Sequence, residues 1–504
     1  WYAIEGEVTV ETLTVKGTAN LILVDGTTLT VNGVVQDADF VTDVADGGTL
    51  TVTVEPEDGY QFLAWAGDAP WGQEFAATAT FAVTKPMALS ARIRAYAAPT
   101  TRTWNSGATA SWFENKWTPS GLPGPEDTVV IPGGTCYLTD AVRVGALSVT
   151  GGSLGVTKDG PAVLEVTGDA ALSGGETRVG VAETKWNHRL TVGGDLTLSG
   201  SAILRVTAGP LGGDFTYATG ASFVEVAGTF ALTDTARFIP ISRQHDGASV
   251  KVTCGAFDLA AEAKVDATGV GYGWVDGVTP PVNNRVGSGY AVGAGHGAKG
   301  VWGESTECDE KLGEPYGFRL SPVEPGAPNG CYQNNTANVR RGGGLVRIHA
   351  KAMSVAGSVL ADAKESPYTG NHFGGAAGGG IWLTADDFTF ASTARLSAHG
   401  GKSTYSSMGA GGRIAIGRGL AADQIAALAE SGRCPGVGSP DRHTNEKRLA
   451  AFAAAYPDFD TENGLNLGSG CMYNTKGEKT GDPVAKAEGT FDFYTPKGVL
   501  LIVR

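Results

Sequence analysis

The chain has 504 residues, more than one ordinary compact domain accommodates, so two or three units are expected. Gly 75 is about twice the usual share, yet there is no G-X-Y period, which excludes collagen. Lys+Arg 38 against Asp+Glu 52 leaves a net charge of -14, which argues against nucleic acid as a partner, and no 18-residue apolar stretch predicts a membrane span.

The pattern along the chain is that of short Thr-, Val- and Ala-rich strands joined by tight turns. It is entered almost at once after Trp1, so an export signal is expected to have been removed. The first segment, Gly6 to Gly33, carries three apolar runs separated by Gly17 and Gly26. It reads as an isolated N-terminal β coil (1–33). A solitary coil cannot bury both faces, so it is expected either to fold back on its neighbour or to add to another copy as a strand-exchange element.

From about 34 to 96 the character changes. Gly59-Tyr60, Phe62, Trp65, Gly67-Asp68, Phe81 and the closing Leu89 to Ile93 form a pattern that resembles the divergent InlB-type bacterial repeat. That resemblance, over roughly 60 residues, implies a small β-grasp-like module that acts as a spacer or interaction element on bacterial surface proteins. Trp65 reads as a core aromatic in preference to a sugar platform.

A Pro-containing linker, Ala95 to Thr103, leads to Trp104, Trp112 and Trp117, then Gly121-Leu122-Pro123 and Asp127 to Ile131. This opening is similar to that of passenger-type β-helices of bacterial surface proteins, and the three tryptophans are expected to cap the open end of a coil stack. Glycines 145, 168, 194, 228 and 255 head similar segments, spaced by 23, 26, 34 and 27 residues. Such spacing suits one coil of a parallel β-helix, with Leu196 and Leu198 inward and Thr197 outward. Phe257, Met353 and Phe388 head a second set of aligned segments, so one stack (97–419) is expected to continue across an insertion at 271–341. The runs at Gly342 and Gly378 read as tight backbone packing at coil corners; no G-K-[S/T] follows them, which argues against a phosphate loop.

Two short Ala-rich patterns, Leu420 to Ser431 and Glu446 to Pro457, predict helices covering the β-helix within a C-terminal region, 420–504. A terminal strand pair turning at Pro496-Lys497-Gly498 should follow them. The fold class predicted is thus all-β: a right-handed parallel β-helix, a small N-terminal β-grasp-like module and minor C-terminal helices.

Six cysteines stand at 136, 254, 308, 331, 434 and 471, with no C-x-x-C pair to suggest zinc. Cys308 with Cys331 and Cys434 with Cys471 bracket irregular loops and read as disulfides. Whether Cys136 and Cys254 are buried thiols stays open.

Catalytic signatures are absent from the pattern: there is no G-x-S-x-G and no H-E-x-x-H. No catalytic, cofactor-binding or metal-binding residues are assigned and no cofactor is expected. Asp386-Asp387, and the group Asp362, Lys364 and Glu365, read as solvated turns. Polysaccharide lyases and many glycosidases are parallel β-helices, so a glycan-cleaving groove is the alternative, on fold analogy alone. Its candidates lie in the insertion: Arg285, His296, Lys299, Glu304, Asp309, Glu310, Tyr316, Arg319, Arg340 and Arg341, with His349 and His372 nearby. A sealed structural loop accounts for them without catalysis and is the preferred reading. The favoured expectation is an extracellular or cell-surface structural or adhesive protein, an adhesin, stalk or filament subunit. Its partners would be a second copy, head to tail, or surface glycans. A secreted polysaccharide-degrading enzyme or a non-catalytic glycan-binding protein is the alternative.

Overall fold

The computed structural model describes the chain except for residues 1, 5–6, 11–18, 24–27, 32–38, 45–47, 55, 57, 84–86, 157–162, 182–184, 274–292, 303–312, 330–339, 366–373, 402–406, 435–436, 438–444, 470–471, 474–478, 482–487 and 497–504. The described residues are almost all strand, in long parallel sheets of the β-helix kind, with two helices. They divide into two compact units, Trp1–Ala170 and Ala171–Arg504.

In the N-terminal unit, the strand Tyr2–Ile4 pairs in parallel with Ala19–Leu23, and that strand with Asp39–Val44. On a second sheet, Glu7–Val10, Thr28–Val31 and Gly48–Thr53 repeat the arrangement. The segment read as an isolated coil therefore holds two rungs, and a third lies at 39–53. The boundary drawn at residue 33 is not a break in strand pairing, because alternation identifies a strand without naming its neighbour. Two antiparallel strands, Met87–Ala95 and Thr78–Val83, close the two sheets. Tyr60–Gly67 then pairs with Met87–Ala95. Trp65 is buried, its indole N–H donating to the Ala76 carbonyl at 2.8 Å, as a core aromatic should.

The same unit contains the start of the coil stack. Thr101–Trp104 pairs in parallel with Thr128–Ile131 and antiparallel with Trp117–Thr118. Trp104, Trp112 and Trp117 are all buried, edge to face at 4.8 and 4.7 Å. They close the end of the apolar interior, as their position in the sequence predicts. Asp127 is fully buried beside them. It receives Arg94 at 2.7 Å, Arg102 at 2.9 Å and the backbone N–H groups of Gly124 and Thr100. Burial alone would raise its pKa, but these donors together hold it below the usual carboxylate value.

In the C-terminal unit, the strands Ser222–Leu232, Val250–Leu259, Leu345–Val355, Gly380–Ala385, Arg413–Arg418 and Thr490–Tyr494 form one parallel ladder. The register puts Phe257 opposite Met353 and Met353 opposite Phe388, the alignment read from the sequence. Leu196 and Leu198 are buried, whereas Thr197 is not fully covered. A second parallel sheet runs through Ile203–Thr207, Arg237–Ile241, Lys264–Asp266, Ser358–Leu360, Arg395–Ser397 and Leu465–Asn466. Of the expected terminal strand pair, the first segment alone is described. Thr490–Tyr494 joins the main parallel ladder, and the residues after 496 lie outside the described part.

The third side of each later coil is not a strand. Successive backbone N–H groups there point to different neighbours: Gly342 to Tyr272, Gly343 to Ala377 and Gly344 to Ala267. Gly378, Gly379 and Gly380 likewise donate to Ala410, Ala361 and Gly344. A donor that turns to a new neighbour at each residue is the signature of an extended three-residue-per-turn helix of polyproline II type, which makes no internal bonds. The described insertion segments join the array, with Gly271 donating to Gly342, Gly326 to Gly343 and Gly297 to Gly411. Glycine is required because the chains meet backbone to backbone: a Cβ at Gly343 would overlap the Ala361 carbonyl, and one at Gly412 the Gly379 carbonyl. The glycine runs therefore pack backbones, as expected, but in a lateral array and not at simple corners.

Helix α1 (Ala422–Ser431) ends at Gly432, whose φ of 67° forms a left-handed cap donating to Leu428. Helix α2 (Asn445–Ala455) lays Phe452 among Phe390, Phe459, Phe491 and Phe493, with centroids 5.2–5.5 Å apart. Among the described residues, no helix is long and apolar enough to cross a membrane. Cys136 is buried and a free thiol, and Cys254 is a free thiol whose pKa burial pushes up to about 12. Of the two predicted disulfides, Cys308, Cys331 and Cys471 fall outside the described residues.

Candidate functional site

The site grows out of strand alternation in the C-terminal unit. Val346 and Ile348, Ile381 and Leu383, and Ile414 and Ile416 are core residues, so their neighbours Arg347, His349, Trp382, Thr384 and Ala415 must face outward. The ladder sets Arg347 beside Trp382 and Trp382 beside Ala415, with His349 beside Thr384. This outer face is not left to solvent. Tyr217–Ala218, the stretch 318–323 and α1 lie over it, and Trp382, Ala415, Leu320, Leu428 and Tyr494 form one buried cluster.

Arg347 is wholly buried, and burial lowers its pKa to about 9. Its guanidinium donates to the carbonyls of Tyr217 at 3.1 Å and Ala218 at 2.7 Å, and lies 4.9 Å from the Trp382 ring centroid. Its Nε–H donates to His349 Nε2 at 3.0 Å. Arginine can only donate, so His349 carries its proton on Nδ1, whose N–H donates a hydrogen bond to Thr384 Oγ1 at 2.7 Å. Burial and the Arg347 and Lys251 charges hold His349 neutral, far below its ordinary pKa. The Trp382 indole donates to Tyr494 Oη at 2.9 Å, and Tyr494 donates in turn to the Leu320 carbonyl.

Over this layer opens a pocket of about 480 Å³, lined by Thr216–Ala218, Gly317–Phe318, Val323–Glu324 and Ala429–Glu430. On its Tyr217 side, the phenol donates to the Asp246 carbonyl at 2.6 Å and meets the Tyr272 hydroxyl at 3.1 Å. Gly317, at φ 74°, leaves room for the Glu324 carboxylate: a Cβ there would stand 3.1 Å from Glu324 Oε2. Burial raises the Glu324 pKa, partly opposed by the charge of Arg413. Arg413 is itself fixed on the Tyr316 carbonyl at 2.9 and 2.7 Å. Glu430, on the last turn of α1, is exposed at the rim.

Of the insertion residues named from the sequence, the structure brings His296 and Tyr316 together, with ring centroids 4.8 Å apart, while the other described ones go to separate partners. His296 is fully buried, its Nδ1 2.7 Å from the Gly378 carbonyl, and burial lowers its pKa to about 3. Arg341 donates to the carbonyls of Ser242, Val270 and Gly271. Tyr316 donates to the Pro325 carbonyl, Arg319 meets Asp492 at 3.4 Å and Lys299 meets Glu314 at 2.7 Å. Arg340 donates its backbone N–H to Asn329. Arg285, Glu304, Asp309, Glu310 and His372 lie outside the described residues. Asp386 and Asp387 are exposed, the latter 3.3 Å from Arg418. Among the described residues, no three His, Cys, Asp or Glu side chains gather as a metal site. The pocket residues Tyr217, Phe318, Glu324 and Glu430 went unread in the sequence: they come from three distant segments, and no spacing connects them.

Comparison with protein-family models, with curated proteins and with solved structures finds no match.

Proposed function

We propose that the chain is a structural or adhesive element of an extracellular surface. The observation that carries this reading is the use of the basic side chains in and beside the insertion. His296, Arg341 and Arg413 are committed to backbone carbonyls that hold the glycine array against the coils. Guanidinium groups bound in this way, and a buried histidine held neutral, cannot neutralise a substrate acid, whereas they do rigidify a flank. The acidic net charge and the resemblance of residues 59–93 to InlB-type repeats support the extracellular assignment, and self-association or glycan contact along the coils fits the same role. The alternative, glycan hydrolysis, would draw on Glu324 and Glu430, the two carboxyl groups of the pocket.

A panel of neutral and acidic polysaccharides distinguishes the two. The purified chain is incubated with each, and retention on the glycan, new reducing ends and unsaturated products are measured, with sedimentation reporting self-association. Retention or self-association without cleavage is expected. Turnover that disappears in Glu324→Gln would overturn the structural reading.

A further inference from the structure

The pocket lined by Tyr217, Phe318, Glu324 and Glu430 is selective in its chemistry. Both ionisable side chains lining it that carry charge near neutrality are acids, and none is a cation. Most of its wall is apolar, with the Tyr217 and Phe318 rings contributing. No hydrogen bond from a described residue reaches the Glu324 carboxylate, which is partly covered and leaves its oxygens open to the pocket. The neighbouring cation, Arg413, is turned away onto the Tyr316 carbonyl and Thr490. A partly covered carboxylate without a protein donor is free to accept from a ligand that enters the pocket.

We propose that this pocket binds an ammonium group carried on a short aliphatic or sugar stem, the stem lying on the apolar wall and the ammonium between Glu324 and Glu430. Its volume, near the lower end of the range for small-molecule sites, suits a single lysine side chain or one amino sugar. An ammonium brings three donors and no acceptor, the complement of two carboxylates, and aromatic faces favour a cation further. The negatively charged chain as a whole attracts such a ligand. Glu324 also gives the site a pH signature. Because burial favours its protonated form, amine binding must shift it toward the carboxylate, and affinity rises with pH through its titration. This inference is independent of the surface role proposed above and survives the loss of that reading.

The test uses the intact chain with Nα-acetyl-lysine amide, glucosamine and their neutral counterparts Nα-acetyl-norleucine amide and glucose, titrated by calorimetry and by NMR. Both amines, or one of them, should bind at least about tenfold more tightly than the neutral partner. Preference between the amines identifies the source as protein lysine or amino sugar. Glu324→Gln should weaken the amine by about tenfold and abolish the pH dependence. The exposed Glu430→Gln, which leaves the interior untouched, should weaken it by a smaller factor. Neutral compounds binding as well as amines, no binding by any of the four, or full affinity in both variants would overturn the proposal.

Discussion

Gly343→Ala probes the glycine array most directly. The added methyl would overlap the Ala361 carbonyl and crowd the Gly379 nitrogen, both backbone atoms that cannot swing aside. Two hydrogen bonds cross the same gap, Gly343 N–H to Ala377 at 3.0 Å and Gly379 N–H to Ala361 at 2.7 Å. Opening it leaves two buried donors without partners, at about 1–3 kcal/mol each, and adds about 1–3 kcal/mol of overpacking. Alanine's smaller unfolded-state entropy returns under about 1 kcal/mol. The net expectation is a destabilisation of about 5 kcal/mol, large for a single methyl. Gly468→Ala is the matched control: its neighbours would stand at 3.4 Å, an ordinary contact, so it should cost less than about 1 kcal/mol. Urea unfolding followed by circular dichroism gives the comparison, and hydrogen exchange at Gly378–Gly380 localises it. Equal midpoints for the two variants, with exchange at Gly378–Gly380 unchanged, would refute the close-packed array.

Acid should destabilise the C-terminal unit early. His188, His296 and His349 are held neutral by burial, with folded pKa values about 4, about 3 and well below 6.5. A lowered histidine pKa means that the unfolded chain binds more protons below its own value of about 6.5, so stability falls as pH drops through that point. Three such groups give a slope of up to about 4 kcal/mol per pH unit near pH 5, and a flat profile of unfolding free energy from pH 7 to 5 would contradict it. Asp127 works at lower pH: its depressed carboxyl contributes stability above its unfolded pKa, lost as pH falls through the folded value. Asp127→Asn should therefore destabilise the N-terminal unit by about 3–5 kcal/mol at pH 7 and flatten its acid limb, read by thermal melts across pH. Trp117→Ala removes the central ring of the end cap and should cost about 3–5 kcal/mol, while Trp71→Ala, at a partly exposed ring, should cost far less; equal melting shifts would count against the cap. Cys136 should resist a thiol reagent in the native state and react on unfolding, and rapid native labelling would exclude its burial.

The parts legible in the sequence were those governed by local periodicity. Phe257, Met353 and Phe388 could be aligned across the insertion at 271–341 because each heads the same alternation of inward and outward positions, and the ladder pairs them in that register. The tryptophan cap was legible because three large rings before the first coil have no core of their own to fill. Partner choice was not. Nothing local in Ala19–Leu23 says that it pairs with Asp39–Val44, which is why two rungs were read as one lone coil. The lateral array was half legible: glycine runs announce close backbone approach, but not that each N–H turns to a different neighbour. The pocket was not legible, since Tyr217, Glu324 and Glu430 meet only after the outer face of the coils has been covered.

The glycine array also bears on how the protein responds to temperature. Heat capacity on unfolding rises with apolar surface exposed and falls with polar surface exposed, and a lattice of glycine and alanine peptides hides many amide groups behind little hydrocarbon. Residue for residue, its melting should absorb less additional heat capacity than that of a leucine-rich core. A smaller heat-capacity increment flattens the curve of free energy against temperature, so the flank built around Gly271, Gly297, Gly326, Gly342–Gly344, Gly378–Gly380 and Gly411–Gly412 should hold nearly constant stability over a wide range, in the cold as well as the warm.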